Sequence, residues 1–169
     1  MDLRNGNGND WLYIDGLRKK EGSALGFLPK DAYLSVLENK RLSDRDRFRY
    51  QDIIIIEDNF DQTGFCYASY SGSYCKVIQI AIQEDARRWT RATKILTEIE
   101  NRAKKRGNLG VMCRVAYDLE SNWFWLASGY IPVSEVFSTW LNQKESKSKR
   151  PLIVYQKCFN PLFPINGVE

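Results

Sequence analysis

The chain has 169 residues, of which 43% are hydrophobic and 27% are charged, and its net charge is +4. This balance fits one globular domain, 1–169, with short tails at 1–23 and 160–169, and it excludes a long disordered chain. No apolar run approaches the ~18 residues of a membrane-spanning helix and the first ten residues are polar, so we expect a cytoplasmic protein without a membrane segment.

The first half of the chain predicts one helix followed by three antiparallel strands. The segment Leu28 to Leu42 carries a proline near its start and spaces its apolar residues as on one helix face. Four consecutive isoleucines, Ile53 to Ile56, predict a buried strand, because β-branched residues favour strands and the run is too short for a helix. The segments Phe65 to Tyr70 and Lys76 to Ile82 follow after polar turns, which predicts a meander.

The next part predicts a helix that connects two parallel strands. Apolar residues recur at helical spacing from Trp89 to Ala103, a basic run follows, and Gly107 supplies a left-handed cap. The strand Gly110 to Tyr117 is reached through this helix. It is therefore predicted to lie parallel to Lys76 to Ile82, as in a right-handed crossover unit.

A short helix and a closing hairpin complete the predicted fold. Asp118 is predicted to cap a helix that runs through Ser128 and ends at Gly129. The strand candidates Val133 to Leu141 and Pro151 to Phe159 are separated by a polar, lysine-rich loop. The predicted fold class is α/β, or α+β: a mixed, mostly antiparallel sheet of about six to seven strands with a parallel central pair and flanking helices.

Two residue types limit the chemistry. Histidine is absent, which excludes Ser-His and Cys-His nucleophilic catalysis and removes the usual general base and the commonest metal ligand. The cysteines are scattered without a Cys-x-x-Cys pair, so we expect reduced structural thiols and no metal site. They are Cys66, Cys75, Cys113 and Cys158.

The turn between Ile82 and the following helix is the best candidate for ligand binding. A helix start leaves backbone N–H groups without partners and carries partial positive charge. Arg87, Arg88 and Arg91 add full charges beside it, so a polyphosphate suits this turn. The same residues also fit an ordinary exposed first turn, and from the residues alone both interpretations are open.

Two motifs in register resemble those of the GCN5-related N-acetyltransferases, and the resemblance covers roughly residues 24–159. The segment Arg87 to Ala92 follows Ile80-Ala81-Ile82 and resembles the family's pyrophosphate-binding motif: Arg or Gln, two residues, Gly, one residue, then Gly or Ala. Arg87 and Ala92 match this motif, and Thr90 stands where the family has glycine. Five downstream residues fall at the spacing of the family's Asn, Ala, Tyr, Gly and Phe signature: Asp118, Ser121, Trp125, Gly129 and Tyr130.

The resemblance implies the family's fold and an N-acyltransferase that uses acetyl-coenzyme A or another acyl-coenzyme A. Backbone amides of the turn would hold the pyrophosphate, and amides near Ile80 to Ile82 would polarise the thioester carbonyl while an amine attacks it directly. The amine would belong to a small molecule or a protein. The implied cofactor-binding residues are Ile80, Ala81, Ile82, Arg87, Arg88, Trp89, Thr90, Arg91, Ala92, Thr93, Asp118, Ser121 and Trp125.

Proton transfer is where the sequence departs from the family. The family's tyrosine, which reprotonates the coenzyme A thiolate, falls at Trp125, and an indole N–H is not an acid of useful strength. Tyr117 and Tyr130 are the candidate acids in its place, and aromatic packing is the competing role for both. Glu84 is a candidate base, and it would equally serve as a helix cap or an arginine partner. The other available carboxylates are Glu57, Asp58 and Asp85.

Two alternatives to an active acyltransferase stay open on the sequence. The missing tyrosine favours a non-catalytic coenzyme-A-binding or protein-interaction domain of the same fold. Five tryptophans and nine tyrosines interleaved with basic clusters, such as 144–150, favour a nucleic-acid-directed transferase or binder, and a phage branch of the superfamily modifies DNA bases. The sequence is compatible with a monomer or a homodimer.

Overall fold

Seven strands form one mixed sheet in the computed structural model, which describes residues 1–38, 50–87, 89–137 and 150–160, with the backbone alone for Ser23 and Trp89. The strands are β1 (Asp2–Asn5), β2 (Gln51–Asp58), β3 (Asp61–Ser69), β4 (Tyr74–Ile82), β5 (Gly110–Ala116), β6 (Ile131–Phe137) and β7 (Pro151–Cys158). Their order is β1-β2-β3-β4-β5-β7-β6, and each neighbouring pair is antiparallel except β4 and β5. The predicted sheet with a parallel central pair is confirmed.

Helices pack against both faces of this sheet. They are α1 (Trp11–Lys20), α2 (Gly22–Leu25), α3 (Lys30–Leu37), α4 (Trp89–Lys105) and α5 (Ser121–Ala127). Residues of α1 and α3 share one buried cluster with the sheet, whereas residues of α4 and α5 share the other. None of the helices in the described ranges is long and apolar enough to cross a membrane.

The isoleucines of β2 show how the sheet is buried on both faces. Consecutive side chains of a strand point to opposite faces. Ile53 and Ile55 pack in the cluster with α1 and α3, whereas Ile54 and Ile56 pack in the cluster with α4 and α5. All four are at most 2% exposed. The predicted buried strand is confirmed, and burial on both faces explains why its sequence does not alternate.

The helix ends agree with the glycine signals but not with the predicted cap. Gly107 and Gly129 follow α4 and α5 with φ of 80° and 81°, the left-handed conformation that glycine adopts without strain. Asp118 is not the cap of α5, because a turn precedes the helix and Glu120 occupies the capping position. Asp118 instead accepts a hydrogen bond from Arg150 Nη2 at 2.7 Å.

Two predicted elements have different bounds in the described residues than in the sequence-based prediction. The helix predicted over residues 28–42 is observed as α3, and residues 39–42 lie outside the described ranges. The strand predicted over residues 133–141 begins earlier, at Ile131, and is described to Phe137. The predicted tail at 160–169 lies outside the described residues beyond Asn160.

The prediction that residues 1–23 form a tail is wrong. Strand β1 pairs antiparallel with β2, and α1 buries Ile14 and Leu17 against the sheet. The backbone N–H of Gly6 donates to the carbonyl of Ile53 at 2.7 Å, and a side chain at this glycine would collide with Leu37. The segment is polar and glycine-rich, so its order comes from pairing with a distant strand and not from its own composition.

A buried carboxylate ties β1 to the turn before α1. Asp10 is 2% exposed and accepts hydrogen bonds from Arg4 Nη1 and Nη2 at 2.8 and 2.7 Å and from the Asn7 backbone N–H at 2.7 Å. Burial raises the pKa of Asp10, but the hydrogen bonds from Arg4 and Asn7 outweigh it and hold the pKa below its ordinary value.

We expect Asp10→Asn to lower the free energy of unfolding at pH 7 by about 1–3 kcal/mol, because the charge-assisted hydrogen bonds are lost. Since the folded-state pKa is depressed, this contribution is complete above the unfolded pKa of about 3.9 and is lost as pH falls through the folded pKa. Urea unfolding at pH 7, 5 and 3 measures the difference, with exposed Asp61→Asn as the control. A difference independent of pH would contradict the prediction.

Candidate functional site

The parallel strands β4 and β5 pair along only part of their length. Their register joins Tyr74–Val77 to Gly110–Cys113, whereas β4 continues to Ile82 and β5 to Ala116. Beyond Val77 each strand stays paired with its outer neighbour, β3 or β7, and the two separate. The gap between them forms a cleft of about 670 Å³ through the centre of the sheet.

Every second residue of β4 directs its backbone N–H and C=O groups into this cleft. Gln83 donates its N–H to the carbonyl of Thr63 at 2.9 Å on the β3 side. Ile82 and Ile80 therefore direct their N–H and C=O groups away from β3 and toward β5. The carbonyl of Ile82 accepts a hydrogen bond from Arg87 Nε at 3.2 Å. The two N–H groups face the cleft without a strand partner in the described ranges, and such donors suit a carbonyl or an oxyanion.

Helix α2 and Glu21, the residue before it, form a second wall of the cleft. Gln79 lies on β4, and its amide nitrogen donates to the carbonyl of Leu25 at 2.9 Å. The hydroxyl of Tyr33, which is fully buried, donates to the amide oxygen of Gln79. Because both ends of the Gln79 amide are engaged, the end of α2 and the buried face of α3 are fastened to β4. Glu21 and Leu25 line the cleft from this side.

The turn between β4 and α4 closes one end of the cleft. Arg87 lines this end, and its Nη2 lies 2.5 Å from Oε1 of Glu21. Arg91 is engaged elsewhere: its Nε donates to Asp58 at 2.7 Å and its Nη1 to the carbonyl of Ala86 at 2.9 Å. Arg91 therefore fastens the turn to the end of β2. Of the predicted arginines that the structure describes, Arg87 is the one that faces the cleft.

The predicted cofactor-binding residues divide into three groups: those that line the cleft, those that lie elsewhere, and those whose side chains are not described. Those that line the cleft are Ile80, Ala81, Ile82, Arg87, Ala92, Asp118, Ser121 and Trp125. Thr90 and Thr93 are exposed on the first turns of α4, and Arg91 belongs to the pair with Asp58. Trp89 is described by its backbone alone, as the first residue of α4, and Arg88 lies outside the described residues.

The predicted proton-transfer residues are not among the residues that line the cleft. Tyr117 follows β5 and is 61% exposed. Tyr130 is fully buried, and its hydroxyl donates to Glu100 at 3.1 Å. Burial and the neighbouring Glu100 raise the pKa of Tyr130, which makes it a poorer acid. Glu84 is exposed, and its Oε2 lies 3.8 Å from Nζ of Lys20, so the described partner of Glu84 is a lysine of α1 and not the arginine that the alternative named.

Trp125 forms part of the cleft wall and part of the core at the same time. Its indole is 3% exposed and packs edge-to-face on Tyr130 and Phe124, with centroid distances of 5.1 and 5.4 Å. It belongs to the buried cluster that joins α4, α5 and the sheet. At the position of the family's tyrosine this chain therefore has an apolar wall and no ionisable proton.

Sequence reasoning missed four polar residues that line the cleft, one from the distant α1–α2 segment and three close to the predicted Asp118 and Ser121. They are Glu21, Cys113, Arg114 and Glu120. Burial raises the pKa of the Cys113 thiol well above its ordinary value, so Cys113 is a poor nucleophile. Arg114 had a usable signal, since it is the one charged residue in the otherwise apolar strand β5.

The basic loop considered for nucleic-acid contact lies outside the described residues except for Arg150. The Arg150 guanidinium is bonded to Asp118 through Nη2 and, at 3.1 Å, through Nε. This pair lowers the pKa of Asp118 below its ordinary value. Arg150 therefore pairs with a residue of the β5–α5 turn that lines the cleft.

Comparison with known proteins identifies the architecture. A ribosomal-protein-alanine N-acetyltransferase from Brucella melitensis is 12% identical and superposes with a TM-score of 0.71, covering 94% of this chain and 99% of that one. Arabidopsis thaliana NAA60, solved with a bisubstrate analogue, is 10% identical with a TM-score of 0.73, covering 93% and 97%. This protein has the fold of the GCN5-related N-acetyltransferases.

The similarity to acetyltransferases is one of structure, at low sequence identity. A Bacillus anthracis protein named as a streptothricin acetyltransferase, solved with acetyl coenzyme A, is 18% identical with a TM-score of 0.58, covering 64% of this chain and 62% of that one. No family model and no curated protein matches the sequence. The acetyltransferase fold confirms the architecture implied by the paired motifs, at identities where few individual residues are shared.

Proposed function

We propose that the protein is an N-acyltransferase that transfers an acetyl or other acyl group from acyl-coenzyme A to an amine by direct attack in a ternary complex. The observation that carries the proposal is the end of the β4–β5 ladder at Val77 and Cys113, which leaves a cleft between parallel strands. Solved structures with this fold bear acetyltransferase names, and one contains acetyl coenzyme A. Acetyl-coenzyme A is therefore the first donor to test.

The residues of the cleft fit a coenzyme A molecule. The N–H groups of Ile80 and Ile82 suit amide carbonyls of a pantetheine arm laid along β4, as an added strand would lie. Arg87 and the first-turn N–H groups of α4 suit a pyrophosphate. Coenzyme A supplies the activated thioester when it is bound. The protein would orient it between the two strands and stabilise the oxyanion with a β4 amide.

Direct attack by the amine is favoured over an acyl-enzyme. Cys113 is the thiol that lines the cleft, and its raised pKa disfavours the thiolate that would have to attack. The amine must be neutral when it attacks. The carboxylate that lines the cleft on the α1–α2 side is Glu21, which forms an ion pair with Arg87. Positioning and amide hydrogen bonds would supply most of the rate increase.

The test is release of coenzyme A thiol from acetyl-coenzyme A in the presence of a broad amine panel. We expect at least one amine to raise release above the amine-free rate, with a mass increase of one acetyl group on that amine. Arg87→Glu should lower the rate at subsaturating acetyl-coenzyme A. Binding of acetyl-coenzyme A without release for any amine would contradict the catalytic part of the proposal.

The buried indole of Trp125 favours a second candidate function, a non-catalytic domain that binds coenzyme A or a protein. Such a domain would keep the cleft and lack a proton donor at the usual position. Trp125→Tyr separates the two candidates: thiol release that stays at background fits the non-catalytic domain, whereas a large gain identifies an enzyme limited by proton return.

A further inference from the structure

One cation that lines the cleft is free of described partners. Arg114 is exposed on β5, while its strand neighbours Cys113 and Val115 are buried. Strand β5 lies between β4 and β7, so Arg114 is at the centre of the sheet and not at an edge. Within the described ranges its guanidinium makes no hydrogen bond or ion pair. Because Arg114 is exposed and also lines the cleft, its guanidinium is accessible to a ligand that enters there.

Strand alternation places Arg114 on the α1–α2 side of the sheet. Val111, Cys113 and Val115 pack in the cluster with α4 and α5. Arg114 therefore points to the opposite face. Glu21 and Leu25 line the cleft from that same face. The cleft thus opens to the face covered by α4 and α5 and to the α1–α2 face, and Arg114 lies on the α1–α2 face.

Arg114 is too far from the β4–α4 turn, which is proposed to hold the pyrophosphate, to bind the same phosphates. The register pairs Cys113 with Val77, so Arg114 lies level with Ile78, where the strands begin to separate. Four more residues of β4 lead to Ile82, which is about 13 Å at about 3.3 Å per residue. Its charge therefore lies at the end of the cleft where the thioester and the acceptor would meet.

The surrounding charges leave this face positive. Lys76 pairs with Met112 in the register and is exposed on the same face as Arg114. The residues of β7 that share this face are uncharged: Leu152, Val154 and Gln156. In the described parts of β4, β5 and β7, no acid points to this side. An anion would be attracted and a polyamine repelled.

The acids that line the cleft do not neutralise Arg114. Glu21 is bonded to Arg87 and Asp118 to Arg150. Glu120 stands at the start of α5, which packs on the opposite face. The pocket therefore combines two engaged acids, Glu21 and Asp118, with a guanidinium that has five donors and no described acceptor.

We infer that the acceptor is a small amine that also carries a carboxylate or a phosphate, and that Arg114 binds this anion and sets acceptor specificity. The inference rests on the proposed acyl transfer at this cleft. A guanidinium binds either group through two parallel hydrogen bonds, which would fix the acceptor while its amine faces the gap between β4 and β5.

The experiment compares matched acceptors that differ by the anion. Phenylalanine is paired with phenethylamine, and glucosamine 6-phosphate with glucosamine. In wild type the anionic member of one pair should have the higher kcat/KM, and the pair that responds distinguishes carboxylate from phosphate. Arg114→Gln should lower kcat/KM for that member about tenfold or more through KM, and leave its neutral counterpart unchanged. Arg114→Lys should restore part of the loss, and coenzyme A affinity should stay the same.

The outcomes separate this inference from the proposed function. Equal kcat/KM for anionic and neutral members, or an equal loss for both in Arg114→Gln, would overturn the anion site and leave acyl transfer standing. If no amine is acylated, calorimetric titration of the same pairs, with and without coenzyme A, decides instead. Anion-dependent binding that Arg114→Gln abolishes supports the site, and the absence of such binding overturns it.

Discussion

Replacing Trp125 with alanine is expected to lower the free energy of unfolding by about 3–5 kcal/mol, the cost of deleting a large buried aromatic side chain. The indole is 3% exposed and contacts the rings of Tyr130 and Phe124. Its removal would leave a cavity between α5 and the sheet that the backbone cannot fill. The loss is a large fraction of the roughly 5–15 kcal/mol that stabilises an ordinary domain.

Trp123 provides the matched control. It lies two residues earlier on α5, about 200° away around the helix, and is 73% exposed. Trp123→Ala should change stability by about 0.5 kcal/mol or less, as surface substitutions do. Urea unfolding followed by far-UV circular dichroism compares the two variants without relying on tryptophan fluorescence. Equal losses would show that α5 does not face the core with Trp125.

The charge reversal Arg87→Glu is expected to weaken coenzyme A binding by about tenfold or more. The substitution removes a charge-assisted hydrogen bond to phosphate, worth about 1.5–3 kcal/mol. It also places a second carboxylate beside Glu21, whose Oε1 lies 2.5 Å from Arg87 Nη2. Thr90→Trp should produce a similar loss by blocking access to the backbone of α4. Calorimetric titration with coenzyme A and acetyl-coenzyme A measures both.

The ion pair between Glu21 and Arg87 predicts that removing the Glu21 charge strengthens coenzyme A binding, the opposite of the Arg87→Glu effect. A phosphate must compete with Glu21 for the guanidinium, so Glu21→Gln should strengthen coenzyme A binding by about a few-fold, a modest gain because exposed charges are screened. Lys105→Glu is the charge-matched control for Arg87→Glu, because Lys105 lies at the other end of α4, about 24 Å from the start of the helix. Unchanged affinity in both Arg87→Glu and Thr90→Trp would place the phosphate site elsewhere.

The central elements could be predicted because their signals are local. The isoleucine run of β2 and the 3.6-residue period of α4 each carry their own pattern, and Gly107 ends α4 in the predicted left-handed conformation. The parallel pairing of β4 with β5 followed from the helix between them, since a crossover of this length returns the chain in the same direction.

Part of the cleft could also be predicted, because one strand–helix–strand unit positions it. Ile80, Ile82 and Arg87 lie on or directly after β4, and Trp125 lies on the helix that follows β5. Their sequence spacing therefore determines their spatial order. The proton-transfer candidates could not be chosen in this way, since the burial of Tyr130 beside Glu100 depends on packing against α4.

The sequence by itself determined the fold class, the position of the turn between β4 and α4, and the absence of histidine chemistry. Only the tertiary structure decided that residues 1–23 are ordered, that β4 and β5 separate after Val77, and that Glu21 and Arg114 reach one cleft. The sequence of β4 alternates up to Ile82, but in the structure the ladder with β3 shifts register at Ile78, which packs on the face opposite to Ile80 and Ile82. Where a ladder ends depends on what the other strands and helices pack against, and these contacts join segments about ninety residues apart, beyond any local period.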